Sequence, residues 1–443
     1  MPAARDIPSS TRPIEGTVRP PGSKSLTNRA LVCAALARGE SEVHGALDSE
    51  DTRVMVAGLT SLGIGIEADW RSGRIRVVGA GGSIPAPAAT IDCAASGTTM
   101  RFLSAVCALG HGRYRLDGTA RMRQRPIGDL VAPLEELGVD ATAESPGGCP
   151  PVVIASSGLR GGTTTVRGGT SSQFASGLAL VAPCTPLGLR LTLAPGRVVS
   201  LPYLTMTGRV MEAFGATCGA PPAGVEHGGT WQIPTGGYVA TRYAIEPDAS
   251  AASYFLAAAA ITGGRVTVEG LGRTSLQGDV AFADALERMG CRVLWERGAG
   301  GGEDRITVSG RAARGIDIDM NAISDTVPTL AAVALFASEP TVIRNVAHIR
   351  DKETDRIGDL VRELRRLGAA ATETADGLRI EPRPLHAATI ATYDDHRMAM
   401  SMALAGLVIP GVRIENPRCV GKTFPEYWRF LGRLAGWPTE APD

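Results

Sequence analysis

Pro21-Gly22-Ser23-Lys24-Ser25-Leu26-Thr27-Asn28-Arg29 is the stretch around which this chain of 443 residues is organised. Pro20, Pro21 and Gly22 make a stiff turn, and the polar residues after them open an apolar run from Ala30 to Ala37. Ser25 stands where a helix N-cap is expected, which turns unpaired backbone N–H groups and the positive end of a helix dipole outward beside Lys24. Arg29 falls one helical turn later on the same face. The pattern predicts an anion site, against the plainer reading of a capped helix with a solvated lysine and arginine. It is not a nucleotide P-loop, because the Gly-x-x-x-x-Gly-Lys spacing is missing.

The same kind of helix recurs along the chain. Alanine-rich helices are predicted to begin near Ser25, Ser96, Ser171, Asp248, Ser324 and Asp394, each leading into a short strand such as 189–193 or 341–344. A second set carries apolar residues at i, i+3 or i+4 and ends at Gly63, Gly138, Gly215, Gly290, Gly368 and Gly436, where a C-terminal cap belongs. Both sets keep an interval of about 75 residues. Most members of the second set precede two strand-like runs, for example 64–68 and 74–78. The chain therefore reads as α/β, with two similar domains, each built of three repeats of a helix-strand-helix-strand-strand unit. Boundaries near Pro20-Pro21 and Ala244 give an N-terminal domain over residues 21–243. The C-terminal domain takes residues 244–443 and is completed by residues 1–20, where the run 14–18 supplies a strand.

Composition limits the partners. Lysine plus arginine and aspartate plus glutamate both number 45, so no global field draws nucleic acid or an anionic membrane. The eight cysteines are scattered without a CxxC pair, as in reduced cytoplasmic proteins. Residues 1–12 lack the apolar core of a signal peptide, and the longest apolar runs, 254–261 and 330–337, are too short to span a bilayer. His44, His111, His227, His348 and His386 are isolated, so no metal set is expected. The expectation is a cytoplasmic monomer without nucleic-acid or membrane partners.

Reactive side chains gather at the predicted helix starts. The alanine-rich set has Lys24 and Ser25, Ser96-Gly97-Thr98 with Arg101, Ser171-Ser172-Gln173, Asp248, Asp325, and Asp394-Asp395-His396-Arg397. The other set has Asp51, Arg125, Ser200 with Tyr203, Lys352-Glu353 with Arg356, and Lys422. Equivalent helices that point alike would line one face per domain, and two such faces opposed across a cleft would make a pocket of N–H groups, hydroxyls and cations. Each segment alone has a duller reading. Asp248, Ser171-Ser172 and the Asp394 segment read as caps, and residues 352–356 as a solvated charged face. Their recurrence at equivalent repeat positions favours function.

Charge then narrows the ligand. A phosphate brings about −1.5 to −2 charges, and a carboxylate adds one. Two such ligands side by side repel by about 4 kcal/mol per unit pair at ~4 Å and an effective dielectric of ~20. Lys24, Arg29, Arg101, Arg125, Lys352, Arg356, Arg397 and Lys422 suit two phospho-carboxylates and exceed what a neutral sugar needs. Asp325 and Glu353 are acids placed among them to move protons.

At PGSKSLTNRA, LDSEDTRVM, SGTTMR, RMRQRPIG, SSQF, SLPY, IEPDAS, DKETDRI, YDDHRMAM and KTFPEYW, the chain resembles the 5-enolpyruvylshikimate-3-phosphate synthases (3-phosphoshikimate 1-carboxyvinyltransferases) of the enolpyruvyl transferase family. These stretches run from residue 21 to 428. The related transferase acting on UDP-N-acetylglucosamine differs in its opening lysine motif and has a reactive loop cysteine, which Cys107 and Cys149 do not match. The resemblance implies the family's inverse α/β barrel of two three-repeat domains. It implies transfer of the enolpyruvyl group of phosphoenolpyruvate to the 5-hydroxyl of shikimate 3-phosphate, a step toward chorismate and the aromatic amino acids, with phosphate released and no cofactor.

Residue by residue, the resemblance assigns Ser25 and Arg29 to the shikimate carboxylate. Ser171, Ser172 and Ser200 fall to its phosphate, with Gln173 and Tyr203 alongside, and Asp325 and Lys352 to the hydroxyl side of the ring. Lys24, Arg125, Lys422, Gln173 and the Gly97 backbone would cradle the phosphate of phosphoenolpyruvate, and Arg356 and Arg397 would clamp its carboxylate. Asp325, backed by Lys24, is expected to take the hydroxyl proton. Glu353 is expected to move the C3 proton, with His396 orienting its surroundings. Two positions depart from the family pattern: Ala94-Ala95 replaces glycine and asparagine, and His348 stands where asparagine is frequent. They leave two other readings open, a paralogue acting on another cyclitol or sugar phosphate and a non-catalytic phosphometabolite-binding protein.

Overall fold

The computed structural model describes residues 4–438 apart from 197, 220, 223–224, 226–228 and 299–301, so His227 lies outside the described residues. The chain divides into two compact units, residues 22–245 and residues 1–21 with 246–443.

In the unit of residues 22–245, helices α1 (Lys24–Leu36), α2 (Glu50–Ser61), α3 (Gly97–Cys107), α4 (Gly128–Glu136), α5 (Ser172–Val181) and α6 (Leu201–Ala213) alternate between two kinds. The odd-numbered helices are buried almost all round, and every residue of α3 is buried. Alanine, glycine and serine let neighbours close in on all sides, and a helix apolar on every face belongs in a core. The other unit repeats the alternation with α7 (Ala249–Thr262), α8 (Phe282–Arg288), α9 (Val327–Ala334), α10 (Gly358–Arg366), α11 (His396–Gly406) and α12 (Tyr427–Ala435). Its α7, buried from Ala249 to Ile261, packs against α9 and α11.

The even-numbered helices all stop in the same way. Gly63, Gly138, Gly215, Gly290, Gly368 and Gly436 adopt φ between 69° and 108°. One residue later the chain bonds back five positions, as in Ile64 N to Leu59 O at 3.2 Å and Trp437 N to Gly432 O at 2.8 Å. This is the glycine-closed Schellman end, and it satisfies carbonyls the helix leaves open.

The sheets follow one plan. In the second repeat, Ala88–Asp92 runs parallel to His111–Asp117, which pairs antiparallel with Cys149–Ser157, and Asp140–Ser145 closes the far edge. The fifth repeat copies it with Asp317–Asp319, Thr341–Arg344, Leu378–Glu381 and Ala370–Glu373. Around Arg265–Glu269 the parallel partner is Glu15–Val18, and Ala4–Asp6 pairs antiparallel with Arg413–Glu415. In the second and fifth repeats the unit is therefore strand-helix-strand-helix-strand-strand, one strand longer than the sequence reading, while two other sheets keep three strands. The leading strands are short and mostly exposed, with little apolar alternation to reveal them. The described strands form six separate open sheets and no closed barrel, since three to five strands are too few to close on themselves.

Several helix starts also shift from their expected positions. Ser23, not Ser25, caps α1: its backbone is extended and its Oγ accepts from Leu26 N at 3.5 Å, so Lys24 and Ser25 are the first two helical residues. Gly22 is needed there because a Cβ would overlap Gly45 O. Asp395, not Asp394, caps α11, and Ser324 and Asp325 lie in a 3-10 turn (Asn321–Thr326) ahead of α9. Arg125, Lys352 and Lys422 sit at the ends of 3-10 turns that precede α4, α10 and α12, rather than at the helix starts themselves. None of the described helices is long and apolar enough to cross a membrane.

Candidate active site

In the unit of residues 22–245, Ser25 and Tyr203 meet at Arg29. Its side chain is 2 % exposed and lies among α1, α3, α5 and α6. Nε donates to Thr207 Oγ1 at 2.8 Å, Nη1 to Ser25 O at 2.9 Å, and Nη2 reaches Tyr203 O and Ser176 Oγ at 3.4 and 3.5 Å. The guanidinium also faces the rings of Phe102 and Tyr203, 5.2 and 5.7 Å from their centroids. Among the described residues no carboxylate pairs with it. Burial lowers its pKa from the ordinary 12.5 to about 10, partly opposed by Tyr203. A buried cation bonded only to neutral acceptors is set up to receive an anion.

Gly97 opens α3 between two guanidiniums. A Cβ at this position would stand 2.7 Å from Arg125 Nη2 and closer still to Arg101 Nη1. Arg125 is buried; Nη1 donates to Ala95 O at 3.5 Å, and Nε has no hydrogen-bond partner among the described residues. Arg101 Nη1 donates to Gln173 Oε1 at 3.1 Å, while Gln173 Nε2 donates to Thr98 Oγ1 at 3.2 Å, tying α5 to α3. Ser171 caps α5 by accepting from Gln173 N at 3.2 Å, and Ser172 follows it in the first turn. Ser200 precedes α6 with φ 55°, a left-handed conformation that costs a non-glycine residue about 1–2 kcal/mol. Lys24 Nζ lies 3.3 Å from Asp51 Oδ2 at the start of α2. Helix N-termini, hydroxyls and three arginines, groups of the kind that suit an anion, thus occur in this unit.

The other unit builds a different environment from the same residue types. Arg356 is 1 % exposed and grips Asp395, which is fully buried, through Nε–Oδ2 at 2.6 Å and Nη2–Oδ1 at 3.2 Å. Nη2 also meets Glu353 Oε2 at 2.7 Å, and Nη1 meets Asp325 Oδ1 at 3.3 Å. Arg397 Nη2 takes Asp325 Oδ2 at 2.7 Å, and Lys422 Nζ lies 3.8 Å from Glu353 Oε1. Burial works against the Arg356 charge, but Asp395, Glu353 and Asp325 outweigh it and hold its pKa above the ordinary value. Arg29 and Arg356 are thus opposite cases, one lacking a carboxylate and the other held by three.

His396 is buried beneath this cluster, and neither ring nitrogen has a hydrogen-bond partner among the described residues. Burial pushes its pKa well below the ordinary value, with Glu353 opposing, so the ring is neutral. It makes no hydrogen bond to Glu353. Lys352 ends the turn before α10, half-buried. At the two departures, Ala94 takes φ 45°, and His348 Nε2 shares a hydrogen bond with Ser324 Oγ at 2.9 Å.

Sequence reasoning left Asp395 without a role, although it stands inside the YDDHR stretch; its doubled acid was the available signal. It also missed Asp279, whose Oδ2 accepts from Ser250 Oγ, while Arg397 Nη2 reaches that hydroxyl at 3.5 Å. Asp279 carried no signal, because its partners lie 29 and more residues away. No group of three or more His, Cys, Asp or Glu suited to a metal occurs among the described residues.

Comparison with known proteins bears on the family and the fold. A family model described as EPSP synthase (3-phosphoshikimate 1-carboxyvinyltransferase) matches residues 8–431. The 3-phosphoshikimate 1-carboxyvinyltransferase of Nostoc punctiforme is 47% identical over 433 residues, covering 97% of this chain and 99% of that protein. The chloroplastic enzyme of Arabidopsis thaliana is 44% identical, covering 96% of this chain and 83% of that protein. Among solved structures, EPSP synthase from Acinetobacter baumannii superposes with a TM-score of 0.78 at 27% identity, covering 97% of each chain. The enolpyruvyl transferase NikO from Streptomyces tendae shares the fold, with a TM-score of 0.71 at 21% identity over 96% of each chain. A family match over nearly the whole length, on a fold that repeats six times, leads to one conclusion: this chain belongs to the EPSP synthase (3-phosphoshikimate 1-carboxyvinyltransferase) family.

Proposed function

We infer that this chain transfers the enolpyruvyl group of phosphoenolpyruvate to the 5-hydroxyl of shikimate 3-phosphate and releases phosphate. The observation that carries the reading is the pair of buried guanidiniums, Arg29 and Arg125, each bonded, among the described residues, only to neutral acceptors. Arg29 with Ser25 takes the acceptor's carboxylate, while Ser171, Ser172 and Ser200, with Gln173 and Tyr203, take its phosphate. Lys24, Arg125, Lys422, Gln173 and the Gly97 N–H hold the phosphate that leaves, and Asp325 and Lys352 face the acceptor's hydroxyls. Arg356 and Arg397 receive the phosphoenolpyruvate carboxylate.

The carboxylates on those two arginines give the chemistry its proton carriers. A ligand carboxylate arriving on Arg356 and Arg397 competes with Glu353 and Asp325, while Asp395 stays on Arg356 through Nε. Glu353 then carries a proton to C3, which leaves C2 electrophilic. The 5-hydroxyl adds to C2 as Asp325, backed by Lys24, takes its proton. Return of a C3 proton to Glu353 restores the double bond as the C2–O bond to phosphate breaks. Fixed cations facing the two anionic ligands supply orientation and electrostatic stabilisation. The free, mostly buried thiols fit a reducing cytoplasm.

The deciding experiment is a phosphate-release assay with each substrate alone and both together. Release only when shikimate 3-phosphate and phosphoenolpyruvate are both supplied is expected. A preference for another cyclitol or sugar phosphate, or no turnover from folded protein, would overturn the reading.

A further inference from the structure

The turn that delivers Asp395 is strained and clamped from outside the residues already given roles. Tyr393 and Asp394 are consecutive non-glycine residues in the left-handed region, with φ 54° and 56°. Such residues persist only where surrounding contacts hold them. Here the clamp comes from α10. Tyr393 OH donates to Glu363 Oε1 at 2.6 Å, and Arg362 Nη1 donates to the same hydroxyl at 3.0 Å while its guanidinium lies over the ring. Glu363 is fully buried, and its other oxygen accepts from Ala391 N at 3.0 Å and Arg366 Nη1 at 3.2 Å. On the far side of the turn, Asn416 Nδ2 donates to Asp394 Oδ1 at 2.5 Å. The next residue is Asp395, which caps α11 through Arg397 N at 2.8 Å and grips Arg356 with both oxygens.

We propose that Tyr393 and Glu363 are positioning residues for enolpyruvyl transfer: by holding the turn at residues 393–394 they fix Asp395, and through it the two arginines that receive the phosphoenolpyruvate carboxylate. The proposal rests on the assignment of Arg356 and Arg397 to that carboxylate. Relaxing either left-handed residue rotates the backbone entering Asp395, whose carboxylate has no room to follow because it is wholly buried. An error of this kind misplaces a bidentate clamp without touching substrate, so it shows in one ligand's binding before it shows in the fold.

The test is steady-state kinetics with each substrate varied in turn. Tyr393→Phe keeps the ring and removes the hydroxyl, and is expected to raise KM for phosphoenolpyruvate about tenfold, equivalent to about 1.4 kcal/mol. KM for shikimate 3-phosphate should stay within about twofold, because that change is under ~0.5 kcal/mol. Glu363→Gln retains an acceptor for Tyr393 but turns an NH2 toward two donors, Ala391 N and Arg366 Nη1, so it is expected to recover only part of what Glu363→Ala loses. A lowered thermal midpoint with both KM values unchanged would show a purely structural contact and overturn the proposal. Asn416→Gly keeps the left-handed backbone while removing the bond to Asp394; it replaces Tyr393→Phe should that variant not fold, with the same expected direction and the same refuting result. Arg397→Lys is measured in parallel. An unchanged phosphoenolpyruvate KM in that variant would sink the carboxylate assignment itself; a raised value there, with Tyr393→Phe at the wild-type value, would sink only the clamp.

Discussion

Replacing Arg29 by methionine is expected to stabilise the protein while abolishing turnover. The pKa of Arg29 falls from 12.5 to about 10 on burial, and at ~1.4 kcal/mol per tenfold the charged form carries about 3 kcal/mol of desolvation. Two hydrogen bonds of good length, to Thr207 Oγ1 and Ser25 O, return about 0.5–1.5 kcal/mol each. Removing the guanidinium leaves few orphans, since Thr207 Oγ1 still bonds to Tyr203 O at 2.7 Å and Ser176 Oγ at 2.9 Å. The net gain is about 0–2 kcal/mol, or up to roughly 8 °C in thermal midpoint for a unit of this size. The sign with pH follows from a cation whose folded pKa lies below its unfolded one. Its penalty is complete below about 10 and fades as pH rises toward 12.5, so the advantage of the variant should be flat from neutral pH upward and shrink only in strong alkali. Thermal melts with and without shikimate 3-phosphate provide the assay. At ~100 times Kd the ligand should add about 2.7 kcal/mol to the wild type and far less to Arg29→Met. A variant less stable than wild type, or one still stabilised by the acceptor, would refute the reasoning.

Three further outcomes are expected. Gly97→Ala puts a methyl against Arg125 and Arg101 and should raise the phosphoenolpyruvate KM at least about tenfold, more than ~1.4 kcal/mol, with the acceptor KM little changed in steady-state assays. Asp395→Asn keeps the α11 cap, because asparagine caps as well as aspartate, but removes the charge from a buried pair. Glu353 and Asp325 remain on Arg356, so the stability loss should be about 2–3 kcal/mol, below the ~3–5 kcal/mol of an isolated buried pair, with kcat/KM down about 100-fold or more. Asp279 faces Asp325, Arg397, Asp248 and Ser250, and burial, with Asp325, raises its pKa to about 7. An acid raised in this way costs stability progressively as pH climbs from about 4 to 7, so Asp279→Asn should flatten that part of the stability profile and gain about 2 kcal/mol at pH 8 in urea titrations.

Much of the architecture was legible because it is written in short-range chemistry. The six glycines that close the even-numbered helices could be found from spacing alone, since a left-handed C-terminal cap is a local demand on one residue. Strands with apolar alternation, such as Leu189–Leu193 and Thr341–Arg344, could be found for the same reason. Apart from the run 14–18, the leading strands could not, because a few residues such as Ala88–Asp92 or Asp317–Asp319, mostly exposed, owe their conformation to a parallel neighbour. Cap positions slipped by one or two residues where several polar residues stood together, as at Ser23 and Ser25 or Asp394 and Asp395. Only the backbone path decides which oxygen meets the first free N–H.

The candidate site divides along the same line. Sequence alone determined which residues carry charge, hydroxyls and helix starts, and their recurrence at equivalent places in six repeats. It could not tell Arg29 from Arg356. Both are arginines in polar stretches, yet one is bonded to Thr207, Ser176 and Tyr203, more than 140 residues away, and the other to Asp325 and Asp395 across two repeats. Tertiary structure decided which cation is left for a ligand, which acid holds the other in place, and that Tyr393 and Glu363 stand behind that acid. The physical reason is range: capping and turn chemistry act within a few residues, whereas the energy of a buried charge depends on every group that packing brings within a few ångströms of it.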